Sequence, residues 1–194
     1  MVEFSNSNDQ PRTASWKPPR PDFLKCNVDV TVPDNNFSAR FGAVIRNHNG
    51  EFIAAKATPI SFRPAVRECE ALAICDAIHW IANRREVKVI FETDAKVVAD
   101  AIYNPTIDDS EFGDVIKDIR RMFNENRNFS VHAVSRQANE MAHLMARHSR
   151  TLTCPRVFYV IPDFIISCMN NYCNPTSGNE TNGALMGDDN AKAQ

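Results

Sequence analysis

The sequence predicts an α/β fold in which a five-stranded mixed sheet is flanked by helices. Five runs have the alternating or β-rich pattern of strands, and runs of helical period separate the later ones. Residues 47–50 (NHNG) are typical of a hairpin turn between the second and third strands. An antiparallel meander of three strands followed by alternating helices and strands gives the order strand-strand-strand-helix-strand-helix-helix-strand-helix.

The predicted elements begin after a proline-rich segment, WKPPRPDF. The first strand covers residues 24–30, where apolar and polar residues alternate, so Asp29 lies on its polar side near its end. The other predicted strands cover residues 37–46, 52–57, 87–93 and 129–134, and the predicted helices cover residues 64–83, 96–103, 112–124 and 138–150.

We expect one domain, at residues 16–150, because 194 residues suffice for a domain of ordinary size with tails. Residues 1–15 are polar and residues 175–194 are rich in Gly, Asn and Asp, so both ends are expected to be disordered. Residues 151–174 form a short hydrophobic C-terminal extension.

The composition argues against several classes of protein. An apolar fraction of 43% with 24% charged residues is typical of a globular protein, and no apolar run of about 18 residues is present to span a bilayer. The first residues lack the features of a secretory signal, so we expect an intracellular protein, nuclear or cytoplasmic, with reduced cysteines. We also expect a monomer without a membrane partner. A net charge of −2 argues against strong nonspecific binding of nucleic acid.

Glu70 stands out on the first predicted helix because it lies in the middle of the apolar stripe. A helical projection places five apolar side chains within about 60° of it and four polar ones on the opposite arc. A carboxylate that faces a core needs a partner, because burial of an unpaired charge is costly. The apolar neighbours are Val66, Ala73, Ile74, Ala77 and Ile81, and the polar arc holds Glu68, Asp76, His79 and Asn83.

Two further acids change the interpretation of Glu70. Asp29 lies at the end of the first strand and Asp94 follows the fourth, and neighbouring strand ends meet at one edge of a sheet. Three acids brought together without a cation would repel one another, and a bound Mg²⁺ or Mn²⁺ would relieve that repulsion. The pattern therefore predicts a divalent-metal site, with a salt bridge between Glu70 and an arginine as the alternative.

Five segments, in order, carry a resemblance to a known family: WKPPRPDFLKCNVDV, FGAVIRNHNGEFIAA, ECEALAICDAIHWI, VKVIFETDAKVV and AVSRQANEMAHLMARHS. They resemble the type 1 ribonuclease H-like domains common in plant genomes, many of which belong to or derive from non-LTR retrotransposon reverse transcriptases. The resemblance covers residues 16–166. It implies a ribonuclease H-like fold, and we expect the sheet order 3-2-1-4-5 with the strand of Asp29 in the centre.

The resemblance also implies the site residues. In the family the first Asp, the helix Glu and the Asp after the fourth strand bind two metal ions, and these match Asp29, Glu70 and Asp94. The fourth acid is replaced by His143, which can ligate a divalent ion and suits Mn²⁺ better than Mg²⁺. Asn139 matches a position that helps to hold the site, and we expect it either to contact substrate or to cap the last helix.

The function implied is hydrolysis within the RNA strand of RNA–DNA hybrids by a two-metal mechanism with Mg²⁺ or Mn²⁺. The alternative is a catalytically weak or inactive domesticated retrotransposon domain that acts as a nucleic-acid or protein binding module. Val30, which replaces the usual Gly, favours the alternative, as do His143 and the balanced charge. The three intact acids favour catalysis, and we favour it too.

Overall fold

The computed structural model describes residues 15–32, 39–61, 65–82, 88–106 and 108–173. The tails predicted at 1–15 and 175–194 lie outside them, apart from Ser15, as do the predicted element ends at 37–38, 64, 83 and 87. The strands are β1 (Phe23–Thr31), β2 (Arg40–Arg46), β3 (Phe52–Pro59), β4 (Lys88–Thr93), β5 (Phe129–Ala133) and β6 (Arg156–Phe158). The α-helices are α1 (Val66–Ala82), α2 (Lys96–Tyr103), α3 (Glu111–Glu125), α4 (Glu140–His148) and α5 (Asp163–Cys173).

All six strands belong to one mixed sheet with the order β5-β4-β1-β2-β3-β6. Strand β1 is antiparallel to β2 and parallel to β4, which is in turn parallel to β5. The predicted order of the first five strands is therefore confirmed, with β1 inside the sheet. The prediction of five strands in total is wrong, because β6 pairs with the outer edge of β3.

The predicted C-terminal extension supplies both β6 and α5. Helix α5 packs on α4, where Ile165 is fully buried and the ring of Phe164 stacks on His148 with 4.0 Å between centroids. Strand β6 has only three residues, too few for the alternating pattern by which the other strands are predicted.

The helices cover the two faces of the sheet. The core on one face includes residues of α1, α2 and α3, whereas Met141 and Met145 of α4 and Ile165 of α5 belong to a second core on the other face. In the part of the chain that the structure describes, no helix has the length and apolar character needed to cross a membrane.

Helix α4 lies unusually close to β2. A Cβ atom built on Gly42 would collide with backbone atoms of Ala142 and Ala146, and both alanines are fully buried. Glycine at this position lets the helix backbone rest directly on the strand. The contact brings the first turn of α4 to the neighbouring end of β1.

Helix α1 buries most of the predicted stripe. Ala73, Ile74, Ala77 and Ile81 are buried, and Glu70 among them is half-buried. Val66 is 60% exposed and does not belong to the stripe, because it is the first residue of the helix and the buried positions begin only at Cys69.

Candidate active site

The three predicted acids meet where β1 and β4 end. These strands are parallel neighbours, so their carboxyl ends lie at the same edge of the sheet. Asp29 of β1 is 4% exposed, and Asp94, directly after β4, has a side chain that is 17% exposed. Glu70 approaches the same edge from α1, close enough for both aspartates to act on its charge.

Burial and mutual repulsion raise the pKa of two of these carboxyls. Burial raises the pKa of Glu70 from 4.5 to about 7, and the charges of Asp29 and Asp94 add to the rise. Burial also raises the pKa of Asp29, from 3.8 to about 6; the charge of Asp94 adds to this, and His143 opposes it. Carboxyls that titrate near neutral pH in one sheltered place are typical of functional sites.

The alternative for Glu70, a structural salt bridge, does not describe its surroundings. Among the residues that the structure describes, Glu70 forms no ion pair. Arg136 lowers its pKa, but less than burial and the two aspartates raise it. The balance of charge around Glu70 is therefore negative.

Helix α4 places His143 against Asp29. The imidazole Nδ1 lies 2.8 Å from Asp29 Oδ2, and the His143 side chain is 17% exposed. The small residues on either side of it in the helix, Ala142 and Ala146, contact β2 and so set this distance. The structure thus brings together all four residues that were predicted as metal ligands.

Asn139 lies beneath the acids and is almost completely buried. Its Nδ2 donates to Asp94 Oδ1 at 3.2 Å and to the Val28 carbonyl at 2.9 Å. Although Asn139 occupies the N-cap position of α4, its side chain makes no capping hydrogen bond. In this arrangement its amide holds Asp94 and has no free surface for a substrate.

Val30, which replaces the usual Gly of the family, does not share a face of the sheet with Asp29. Its side chain packs against the apolar core on the α1 side of the sheet. Neighbouring residues in a strand point to opposite faces, so Asp29 faces α4 instead.

Arg136 is not identified from the sequence, because residues 135–137 have the pattern of a simple connection. The Arg136 guanidinium lies 3.7 Å from Asp94 Oδ2 and 3.3 Å from both ring nitrogens of His143. Its side chain is 66% exposed, so it stands at the entrance of the site. The sequence signal that could have identified Arg136 is a single basic residue between β5 and Asn139.

The donor atoms of the site suit a hard divalent cation, whereas their present positions do not form a ligand shell. Three carboxylates and one imidazole are appropriate ligands for Mg²⁺ or Mn²⁺. Within the described ranges, no three Asp, Glu, His or Cys side chains are grouped to hold one ion. Asp29 is turned toward His143, and Asp94 toward Asn139 and Arg136. Metal binding therefore requires Asp29 to turn from His143 and requires Arg136 to leave Asp94 Oδ2, while Asp94 Oδ1 can keep its hydrogen bond from Asn139.

The sheet order and the acids at the ends of β1 and β4 define a ribonuclease H-like domain. A sequence model of the reverse transcriptase-like family matches residues 27–149, which is more than half of the chain. The chain belongs to this family. No curated protein matches the sequence. The narrower resemblance to plant non-LTR retrotransposon domains stays a prediction.

Solved structures share the fold at low sequence identity. Ribonuclease H1 of the halophilic archaeon Halobacterium salinarum is 19% identical with a TM-score of 0.55, and the match covers 66% of this chain and 96% of that one. LC11 ribonuclease H1, isolated from compost and solved with an RNA/DNA hybrid, is 14% identical with a TM-score of 0.57 over 64% and 94% of the two chains. The foamy viral protease-reverse transcriptase, also with RNA/DNA hybrid, is 15% identical with a TM-score of 0.54 over 77% of this chain and 22% of the viral one.

Proposed function

We propose that this protein is a metal-dependent endoribonuclease that cleaves the RNA strand of RNA–DNA hybrids. The observation that carries the proposal is the meeting of Asp29, Glu70 and Asp94 at one sheet edge, with raised pKa values for Asp29 and Glu70. A fold needs no such accumulation of negative charge, whereas a cation site does. Two structures with the same fold, LC11 ribonuclease H1 and the foamy viral enzyme, contain RNA/DNA hybrid.

The proposed ligands are the three acids, with His143 as the fourth. The carboxylates of Asp29, Glu70 and Asp94 supply the negative charge that two Mg²⁺ or Mn²⁺ ions need, and an imidazole ligand such as His143 favours Mn²⁺. When bound, the ions supply positive charge to the scissile phosphate and lower the pKa of an attacking water. Asn139 holds Asp94 from below through its Nδ2.

Arg136 is proposed to bind a phosphate of the substrate. Its guanidinium is largely exposed and lies beside Asp94 and His143. The planar fork of a guanidinium matches phosphate oxygens well. When Arg136 turns to a phosphate, Asp94 and His143 lose a partner and become available as ligands, so substrate binding and metal binding favour each other at this position.

The second candidate function is a binding module with little or no catalysis. The observation that favours it is that no three ligating side chains converge as they stand in the described residues. In that case Arg136 and His143 keep their present contacts with Asp94 and Asp29, and the domain binds nucleic acid or protein through its surface.

The decisive experiment is a cleavage assay on an end-labelled RNA–DNA hybrid, with Mg²⁺ and then Mn²⁺, in which single-stranded RNA and duplex DNA serve as substrate controls. Glu70→Gln is compared with Glu68→Gln, the same change two positions earlier on α1, where the side chain instead accepts from the Ala65 amide at 2.6 Å. We expect hybrid cleavage that Glu70→Gln removes and Glu68→Gln leaves intact. Hybrid binding without cleavage in either metal would establish the binding module instead.

A further inference from the structure

A row of buried polar side chains lies beneath the candidate active site, on the α4 face of the sheet. It consists of Lys25 and Asn27 of β1, Arg46 of β2, Glu92 of β4 and Asn139, and we call it the buried polar row. Asn27 and Arg46 are completely buried, and Glu92 and Asn139 are nearly so. Buried polar groups are costly unless each has a partner, so the order of their hydrogen bonds is informative.

The hydrogen bonds of the row run in one direction, toward the site. Arg46 Nη2 donates to Asn27 Oδ1 at 2.7 Å. Asn27 Nδ2 donates to Glu92 Oε2 at 3.0 Å and to Asn139 Oδ1 at 3.2 Å. Asn139 Nδ2 then donates to Asp94 Oδ1 at 3.2 Å.

Partners that can only donate or only accept fix this direction, and one of them is the Val28 carbonyl, which accepts from Asn139 Nδ2 at 2.9 Å. A guanidinium has only donors, so the atom of Asn27 that faces Arg46 must be the amide oxygen. An ionised carboxylate has only acceptors, so the atom that faces Glu92 must be the amide nitrogen. Glu92 also forms an ion pair with Lys25, whose Nζ lies 2.6 Å from Glu92 Oε1.

We propose that Arg46 and Asn27 are positioning residues for the active site. Together with the Val28 carbonyl, they orient the amide of Asn139 so that its nitrogen, and not its oxygen, faces the carboxyl group of Asp94. The catalytic consequence rests on the proposed function, whereas the orientation itself is a property of the metal-free protein.

The surroundings of Arg46 support a positioning role over simple filling of space. The indole of Trp16 covers the guanidinium, with 3.4 Å between Arg46 Cζ and the ring centroid. Filling of space alone requires no buried charge, and burial of a charge is costly. What an apolar side chain cannot do is donate to Asn27 Oδ1, and that donation acts with the acceptors Glu92 and Val28 to set the polarity of the row.

The test compares Arg46→Lys with Arg46→Met in metal-free, ¹⁵N-labelled full-length protein. The two replacement side chains have similar length, and only the lysine keeps a donor-only cation. We expect solvent exchange of the Asn139 side-chain NH₂ protons to become at least about tenfold faster in Arg46→Met and to stay near wild type in Arg46→Lys. Lys56→Met is the matched control, because Lys56 is a partly buried cation that pairs with Asp76 of α1 on the opposite face.

A second variant keeps the test decisive if Arg46→Met does not fold. Asn27→Asp preserves the size of the side chain and its acceptor for Arg46, but it turns an oxygen toward Asn139. The introduced oxygen repels Asn139 Oδ1 and removes its donor, so the NOE contacts between the Asn139 NH₂ protons and Asp94 should weaken, although the Val28 carbonyl still accepts from the same nitrogen.

The outcomes of this proposal and of the proposed function are separable. If wild-type protein cleaves no hybrid, the proposed function fails, while the exchange and NOE measurements still decide the orientation of Asn139. Unchanged exchange in Arg46→Met together with unchanged NOEs in Asn27→Asp would overturn the positioning role. The same acceleration of exchange in Lys56→Met would also overturn it, because the effect would then follow from general loss of stability.

Discussion

Helix α1 carries two partly buried acids whose surroundings differ. Asp76 Oδ1 lies 2.7 Å from Lys56 Nζ of β3, and its other oxygen accepts from the Thr58 hydroxyl at 3.1 Å. Glu70, six positions earlier, forms no ion pair among the described residues and faces two further acids. Each oxygen of Asp76 has a structural partner, whereas Glu70 lies in an excess of negative charge. The comparison teaches that the sign of the surroundings, more than burial alone, separates a structural carboxylate from a candidate ligand.

The largest expected effect is on hybrid cleavage, and it tests whether Glu70 and Asp76 have different roles. Glu70→Gln should lower kcat/KM for hybrid cleavage by more than about 100-fold, the upper range for residues that only support metal ligands. Asp76→Asn should leave kcat/KM near wild type but cost about 1–2 kcal/mol of unfolding free energy, because Lys56 loses its charged partner. Steady-state kinetics and urea unfolding measure the two quantities. A comparable loss of cleavage in both variants would show that the two acids have the same role.

Binding of divalent metal should stabilise the folded protein through Glu70. At a metal concentration about 100 times the Kd, mass action raises the unfolding free energy by about 2.7 kcal/mol. We expect thermal unfolding to show this gain in wild type and in Asp76→Asn, and to lose most of it in Glu70→Gln. In the absence of metal, Glu70→Gln should be no less stable than wild type, since one repelling charge is gone. A melting temperature insensitive to millimolar Mg²⁺ and Mn²⁺ would contradict the metal site.

The raised pKa values give the comparison a pH dependence. A carboxyl whose pKa is higher in the folded state holds its proton more tightly there, so stability falls as pH rises from the ordinary pKa to the raised one. For Glu70 this window runs from 4.5 to about 7, and for Asp29 from 3.8 to about 6. Urea unfolding in EDTA should show stability falling across pH 4 to 7, and Glu70→Gln should flatten the upper part of that fall. An unchanged slope in this variant would mean that Glu70 titrates normally.

The smallest expected effect concerns Arg136, the cation beside the cluster of acids, and it tests whether this residue contacts a phosphate of the substrate. Arg136→Gln should weaken binding of hybrid a few-fold and reduce the slope of log affinity against log salt by about one, as loss of one phosphate contact does. The same variant should bind Mn²⁺ more tightly, because a competing cation is removed. Arg121→Gln serves as the control, since Arg121 is an exposed residue of α3 paired with Asp118 and Glu125. Equal salt slopes for the two variants would assign Arg136 no phosphate contact.

The parts of the molecule that depend on local pattern could be predicted from the sequence. Strand alternation and helical period locate β1, β4 and α1, and these elements suffice to bring Asp29, Glu70 and Asp94 to one edge. The helical projection also places Asp76 on the polar arc, where little contact with the sheet is expected. This expectation is wrong, because Lys56 of β3 forms an ion pair with Asp76. A projection contains no information about which strand packs beside a helix.

The remaining features depend on contacts between distant segments. Arg46 and Asn27 have the sequence appearance of solvent-facing strand residues, yet both are completely buried beneath α4. Arg136 gains its role only when the connection after β5 folds back beside Asp94. Strand β6 exists because the chain returns to β3 after α4. Each case depends on tertiary packing that neither propensity nor period specifies.

The pairing of β6 with β3 also bears on the solubility of the folded chain. Residues 55–57 of β3 pair with residues 156–158, so the short strand occupies backbone groups of an otherwise open eight-residue edge. An open strand edge is a template for pairing with a second molecule, and short or charged edge strands suppress such association. The segment that follows α4 therefore protects part of the β3 edge from pairing with a second molecule. A chain that ends at residue 150 should expose this edge and self-associate more readily.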